Sequence, residues 1–281
     1  MITSSSEFVD LKAIDRFLEE DRGPGDLTAL ILPLESIAKA TVTTREDMVL
    51  CGREWFDAVF KRLDPTVEIR WHLDEGASAQ KDQVLCSLKG FARPLLTGER
   101  TALNLLQTLS GTATLSRQYA EAARGTPVRI LDTRKTIPGL RLAQKYAVRC
   151  GGCDNHRMGL YDAILIKENH IEAAGSIALA LALARQSADS VMIEIEVETL
   201  KELEEALIGG CERILLDEFS LEMMQTAVAM AKGKALLEVS GNVRLEEIPT
   251  IAATGVDYIS VGALTKNIRA IDLSMRVALE R

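Results

Sequence analysis

No stretch of this 281-residue sequence approaches the roughly 18 consecutive apolar residues that a membrane-spanning helix needs. Its start, MITSSSEFVDLKAIDRFLEED, lacks the uninterrupted apolar core of a secretory signal. Basic excess is missing too: the formal net charge is −8. That argues against a general nucleic-acid binder, which presents a basic face. Cysteine is scarce and odd in number: Cys51, Cys86, Cys150, Cys153 and Cys211. Such spacing makes no disulfide framework, and a cytoplasmic protein with reduced thiols is expected. There is no internal repeat, low-complexity tract or disordered linker, and no GxGxxG turn follows an apolar run.

What is present suits one or two globular domains, with 47% hydrophobic and 26% charged residues. The first part alternates unevenly. The pattern predicts a helix over 10–20, a turn at Gly23-Pro24-Gly25-Asp26, and strands over 38–44, 67–73 and 83–88. A helix over 54–63 separates the first two strands, so an α+β domain is expected. From 94 to 123 the pattern is helical, with Leu103, Leu106 and Leu109 on one face. Beyond it, six apolar runs alternate with helical stretches: VRILD (128–132), DAILIK (162–167), VMIEIEVE (191–198), ERILLD (212–217), KALLEVS (234–240) and DYISVG (257–262). Alternating β and α units imply a parallel sheet, either closed as a barrel or doubly wound.

Each run ends in a different polar group. In a barrel these ends share one mouth, where ligands bind. Thr133, Arg134 and Lys135 end the first run. In an acidic chain, adjacent cations mark either a surface turn or an anion pocket. Lys167 ends the second run, and Glu194, Glu196 and Glu198 alternate on one face of the third. Turned inward, these carboxylates need cations, Lys167 or Mg²⁺; turned outward, they are merely solvated, and Glu198 could cap the next helix. Asp217 and Glu218 follow, then Ser240-Gly241-Asn242 and Gly262-Ala263, turns whose amides could bind phosphate. CGGCDNHRMG (150–159) has the outline of a zinc set, but a structural zinc takes four ligands and the other cysteines are isolated. The Gly-Gly pair more simply places His156 and Arg157 beside a ligand.

Three blocks then carry a resemblance: GERTALNLLQTLSGTAT (98–114), LDTRKTIPGLRLAQKYAVRCGGCDNHRMGLYDAILIKENHI (131–171) and LLEVSGNVRLEEIPTIAATGVDYISVGALTKNIRAIDLSMR (236–276). Together with GPGDLT (23–28), they resemble the quinolinate phosphoribosyltransferase family over nearly the whole chain. The resemblance implies an α/β protein: an N-terminal α+β sandwich-like domain over 1–110, an incomplete α/β barrel over 111–269, and residues 270–281 packing back on the first domain. It implies the conversion of quinolinate and phosphoribosyl pyrophosphate to nicotinate mononucleotide, pyrophosphate and CO₂ with Mg²⁺, in a homodimer with shared active sites. By matching motifs, Arg134, Lys135, His156 and Arg157 would bind the quinolinate carboxylates beside Thr133, with Arg100 reaching in from the other subunit. Lys167 would meet phosphoribosyl pyrophosphate or the reacting centre, and Glu196 and Asp217 would hold Mg²⁺ or ribose hydroxyls. Ser240, Gly241, Asn242, Gly262 and Ala263 would take phosphate. Two residues depart from the family pattern: Cys153 replaces an expected Gly, and Glu218 an expected Asn. The alternatives are a molybdenum-operon or nicotinate-specific relative, or a non-catalytic anion-binding barrel.

Overall fold

The computed structural model describes residues 8–187 and 191–280. Its contacts divide the chain into two compact units. One contains the chain up to Arg117, Ile137–Gly152, and the chain from Asn267 on; the other contains Gln118–Thr136 and Cys153–Lys266. The first unit begins with α1 (Leu11–Arg22), started by Asp10, whose carboxylate accepts the Lys12 N–H. There follow β1 (Ile37–Thr44), β2 (Met48–Val49), α2 (Arg53–Leu63), β3 (Glu68–Trp71), β4 (Ser78–Ala79), β5 (Val84–Phe91) and the long helix α3 (Ala92–Ala122). In the second unit, β6 (Arg129–Leu131) comes first. The chain then returns to the first unit as α4 (Arg141–Gly151).

The strands of the second unit continue with β7 (Ala163–Ile166), α5 (Glu168–Ala174), α6 (Ile177–Ser187), β8 (Met192–Val197), α7 (Leu200–Ile208), β9 (Arg213–Asp217), α8 (Leu221–Ala231), β10 (Leu236–Ser240), α9 (Ile248–Ala252), β11 (Tyr258–Ser260) and α10 (Ala263–Lys266). Last, β12 (Leu273–Leu279) pairs antiparallel with β1 in the first unit's four-stranded sheet, ordered β12-β1-β5-β3. The carboxyl-terminal segment thus completes the first unit, not the second. The sequence boundary at 110–111 lies inside α3, and α4 packs with the first unit for a plain reason. Its Ala143, Tyr146, Ala147 and Cys150 are buried in that unit's core, with the Tyr146 ring 5.3 Å from Trp55. Each large buried side chain there contributes about 1.5–3 kcal/mol.

The second unit is a parallel six-stranded sheet ordered β6-β11-β10-β9-β8-β7. All six apolar runs became strands, each trimmed by a residue or two at its ends. Their runs are mostly apolar because helices cover one side and barrel interior the other, with Glu194, Arg213 and Glu238 as charged exceptions. The ring is incomplete between β6 and β7. The segment after Cys153 lies in that seam: Leu131 bridges Asp154, with Asp132 N to Asp154 O at 3.1 Å and Asp154 N to Ile130 O at 2.8 Å. Arg157 reaches the other side, its Nη1 donating to Ala163 O at 3.1 Å.

Candidate active site

Every strand of the second unit delivers its expected polar residue to the carboxyl end of the sheet, where βα turns begin. Asp132, fully buried, anchors the first turn. It accepts the His156 N–H at 2.9 Å through Oδ1 and the Asn155 amide at 2.6 Å through Oδ2. Two cation-bearing segments, 133–135 and 155–157, are therefore tied to one carboxylate. The sequence reading passed over Asp132 as a strand end.

Lys135 is held in the same turn. Its N–H donates to Thr133 Oγ1 at 3.1 Å, and its carbonyl accepts from Thr265 Oγ1 at 2.8 Å. The Lys135 side chain runs across Gly262: a Cβ there would stand 3.1 Å from Lys135 Cδ. Only a glycine leaves that approach unhindered. Thr133, Lys135, Gly262 and Ala263 thus form one neighbourhood. Arg157 is half-buried, and its guanidinium holds its proton less tightly than usual, because of burial first and the charge of Arg134 second. The Glu194 and Asp162 charges oppose both effects.

Lys167, just before α5, pairs with Glu196 on β8. Burial raises the Glu196 carboxyl above its usual range; Lys167 opposes this, and Asp217 adds to it. The β9 end places Asp217 beside Ser240 in register, and the Glu218 N–H donates to Ser240 O at 3.2 Å. Ser240, Gly241, Asn242 and Glu218 line one cleft with Arg244. Glu198 is exposed and does not cap α7; Thr199 does, with Glu202 returning to the Thr199 N–H at 3.0 Å.

Inside the ring, below these turns, lies a cluster of which the sequence offers His156 and Glu194 as candidates but not Arg213 or Glu238. His156 Nε2 is 2.8 Å from Glu194 and 3.5 Å from Glu238, and Arg213 bonds both carboxylates. Burial raises the Glu194 carboxyl, but His156 and Arg213 outweigh it and hold it low. Burial, then the Glu194 charge, push Glu238 up to about 7. The signal in the sequence was an isolated charge inside each apolar strand, in LLEVS and ERILLD.

The zinc outline is not assembled. Cys150 and Cys153 are buried cysteines outside any disulfide. Cys150 groups with Cys51 and Glu75, and His156 with Glu194 and Glu238. Glu75 is already used as a helix cap, accepting Gly52 N at 2.7 Å and Arg53 N at 3.2 Å at the start of α2. Arg100, exposed on α3, belongs to the first unit.

Residues 26–110 match the family model for the quinolinate phosphoribosyl transferase N-terminal domain, and residues 112–276 the model for its C-terminal domain. The chain is 40% identical over 269 residues to a probable carboxylating nicotinate-nucleotide pyrophosphorylase of Bacillus subtilis, covering 95% of this chain and 93% of that one. A nicotinate-nucleotide pyrophosphorylase structure from Francisella tularensis superposes with a TM-score of 0.92 at 46% identity, covering 96% and 98% of the two chains. Human nicotinic acid phosphoribosyltransferase, at 15% identity and a TM-score of 0.63 over 96% of this chain and 74% of that one, shares the fold alone.

Proposed function

The chain belongs to the quinolinate phosphoribosyltransferase family, and from that premise we propose how its residues divide the family's reaction. The reaction joins quinolinate to the ribose of phosphoribosyl pyrophosphate. It releases pyrophosphate and CO₂ and leaves nicotinate mononucleotide for NAD biosynthesis.

Arg134, Lys135 and Arg157 gather the two adjacent carboxylates of quinolinate, with His156 in their midst. The observation that carries this is that Asp132 holds the segment 155–156 beside the 133–135 turn, so that their cations gather one dianion. Arg100 of a second subunit completes the set. Ser240, Gly241, Asn242, Gly262 and Ala263 present turn amides to phosphate, and Lys135 lies beside Gly262 where it reaches the same group. Loss of pyrophosphate leaves an oxocarbenium-like ribose, which the Glu196 and Asp217 carboxylates favour electrostatically. Lys167 neutralises Glu196 in the meantime. On decarboxylation the electron pair of the broken C2–carboxylate bond stays on C2, stabilised by the adjacent ring nitrogen that the new glycosidic bond makes cationic, and a proton from solvent then takes the place of CO₂. The residues' share of this step is orientation, an effect that can reach about 7–11 kcal/mol.

Glu196 and Asp217 are hard oxygen donors, Glu196 being raised by burial first and by the Asp217 charge to a lesser degree, and they fit Mg²⁺. When bound there, the ion would neutralise charge on the leaving pyrophosphate. Among the described residues no helix is long and apolar enough to cross a membrane, and a cytoplasmic setting is proposed with reduced thiols. Homodimerisation is supported by exposed apolar side chains in the first unit: Leu27, Leu30, Ile31 and Leu34 are 64–82% exposed. Arg93 fixes that segment through Leu32 O at 2.9 Å.

Incubation with quinolinate, phosphoribosyl pyrophosphate and Mg²⁺ should yield nicotinate mononucleotide. Arg134→Ala should raise the quinolinate KM at least about tenfold, one charge-assisted contact of about 1.5–3 kcal/mol, while barely changing phosphoribosyl pyrophosphate binding. An unchanged quinolinate titration would return Arg134 to an ordinary surface turn.

A further inference from the structure

The anion-binding loops rest on a buried charged cluster rather than on hydrocarbon. Glu194 on β8 and Glu238 on β10 are both 0% exposed. Arg213, the first residue of β9, donates to Glu194 Oε1 at 3.1 Å and to Glu238 Oε2 at 2.5 Å. Its guanidinium also stacks 4.3 Å from the centre of the Tyr258 ring. A cation thus already bridges carboxylates that, with His156, would otherwise suit a metal ion.

The imidazole of His156 ties this cluster to the loop above. Its Nε2 lies 2.8 Å from Glu194 Oε2. Its Nδ1 accepts the Arg157 N–H at 2.7 Å. An accepting Nδ1 carries no proton, so the ring proton sits at Nε2, which faces the Glu194 and Glu238 carboxylates at ion-pair distance without closing a hydrogen bond on Glu194 Oε2. The side chain is only 7% exposed. The His156 main chain is tied separately to Asp132, next to Thr133 and Arg134.

Building on the mouth as the quinolinate site, we propose that His156, Glu194, Glu238 and Arg213 are positioning residues. They clamp the 155–157 segment against the 132–135 turn so that Arg157 and Arg134 face one anion. His156 itself does not touch quinolinate. The ring turns Nε2 toward the buried carboxylates and Nδ1 to the Arg157 N–H, and that orientation sets the direction in which the chain leaves toward Arg157. Release of the ring would cost substrate affinity through Arg157 without altering the phosphate turns.

The test uses the full-length protein with its three histidines labelled in the ring. Nitrogen NMR of the free protein should show His156 protonated at Nε2 and bare at Nδ1, unchanged when quinolinate saturates the site. In kinetics, Glu194→Gln should raise the quinolinate KM about tenfold or more and leave the phosphoribosyl pyrophosphate KM within about twofold, a lost charge-assisted contact acting on one substrate. His156→Gln, whose amide can still donate to Glu194, should retain more quinolinate affinity than His156→Ala. The proposal is overturned if quinolinate converts His156 to a doubly protonated ring, if the free ring is protonated at Nδ1 alone, or if Glu194→Gln shifts both KM values equally or neither. Should Glu194→Gln fail to fold, the NMR of the unaltered chain decides. If the unaltered chain does not turn over quinolinate, the reading of the mouth fails, while the free-state tautomer still judges the clamp.

Discussion

Glu218 follows β9 with φ at 52°, the left-handed region that costs a side chain with a Cβ about 1–2 kcal/mol. Asn tolerates that region better than Glu because its short amide bonds locally to the backbone. Glu218 also accepts the Asn242 amide at 3.4 Å, placing a carboxylate against the turn assigned to phosphate. Glu218→Asn should therefore stabilise the fold by about 0.5–1 kcal/mol and lower the phosphoribosyl pyrophosphate KM severalfold. Chemical denaturation and steady-state kinetics check the two effects separately, and a weaker substrate affinity would place phosphate elsewhere. A second residue governs pH behaviour. Burial raises the Asp57 carboxyl to about 6, against the opposing Trp71 hydrogen bond of 2.9 Å. A carboxyl raised in the folded state binds its proton more tightly there than in the unfolded chain. Its stabilising contribution is complete below about pH 4 and is lost as pH rises through 6. Asp57→Asn keeps the acceptor and removes the ionisation. Its stability advantage over the parent should grow from pH 4 to pH 7 by at most about 3 kcal/mol. Melting temperatures that rise in parallel across that range would exclude Asp57 as the group.

At the scale of elements, the tightest dependence is between α3 and the chain leading into β12. Gly111 on α3 lies so close to that chain that a Cβ would stand 2.3 Å from Arg269 O. The same stretch is fixed by Ile271 N to Gln107 O at 3.1 Å and by Arg269 bonding Glu46 at 2.5 Å. The obstruction is backbone, which cannot swing aside. Gly111→Ala should cost about 1–3 kcal/mol, visible as earlier urea unfolding. An unchanged midpoint would mean that the β12 lead-in can shift freely. The strands around the barrel were readable because a parallel strand buried on both faces is a continuous apolar run with a polar end. The two-residue strands β2 and β4 carry no periodicity to read. The cations of the mouth were also readable, since Arg134 with Lys135 and His156 with Arg157 are adjacent in sequence. Arg213 and Glu238 were not. They stand on different strands, and only the lateral register of the sheet brings them to Glu194. Asp132 was hidden for the same reason, as its partners Asn155 and His156 come from the seam segment.

For the molecule as a whole, subunit sharing gives a test that needs both chains. If each mouth borrows Arg100 from its partner, Arg100→Ala and Lys135→Ala are each inactive alone. In a mixed dimer one site carries both lesions and the other neither. Random pairing makes half the dimers mixed with one intact site in two, so activity should recover to about a quarter of the parent value. Demonstrated subunit exchange without recovery would place Arg100 in its own subunit's chemistry. The exposed Leu27, Leu30, Ile31 and Leu34 should lose accessibility on association, a change that lysine-independent surface labelling can follow.

The seam between β6 and β7 makes the ring a bracelet whose clasp is the ligand loop. Asp154 fastens one end and Arg157 the other. Unfastening the bracelet and dropping quinolinate become a single event, so the substrate should act as a lock on strands it never touches. At a concentration of 100 Kd it should slow amide hydrogen exchange at the facing edges of β6 and β7 about a hundredfold, an effect of about 2.7 kcal/mol. The inner strands β9 and β10, each flanked on both sides, should keep their exchange rates. Equal slowing in all six strands would show that the ring opens as one body and has no clasp.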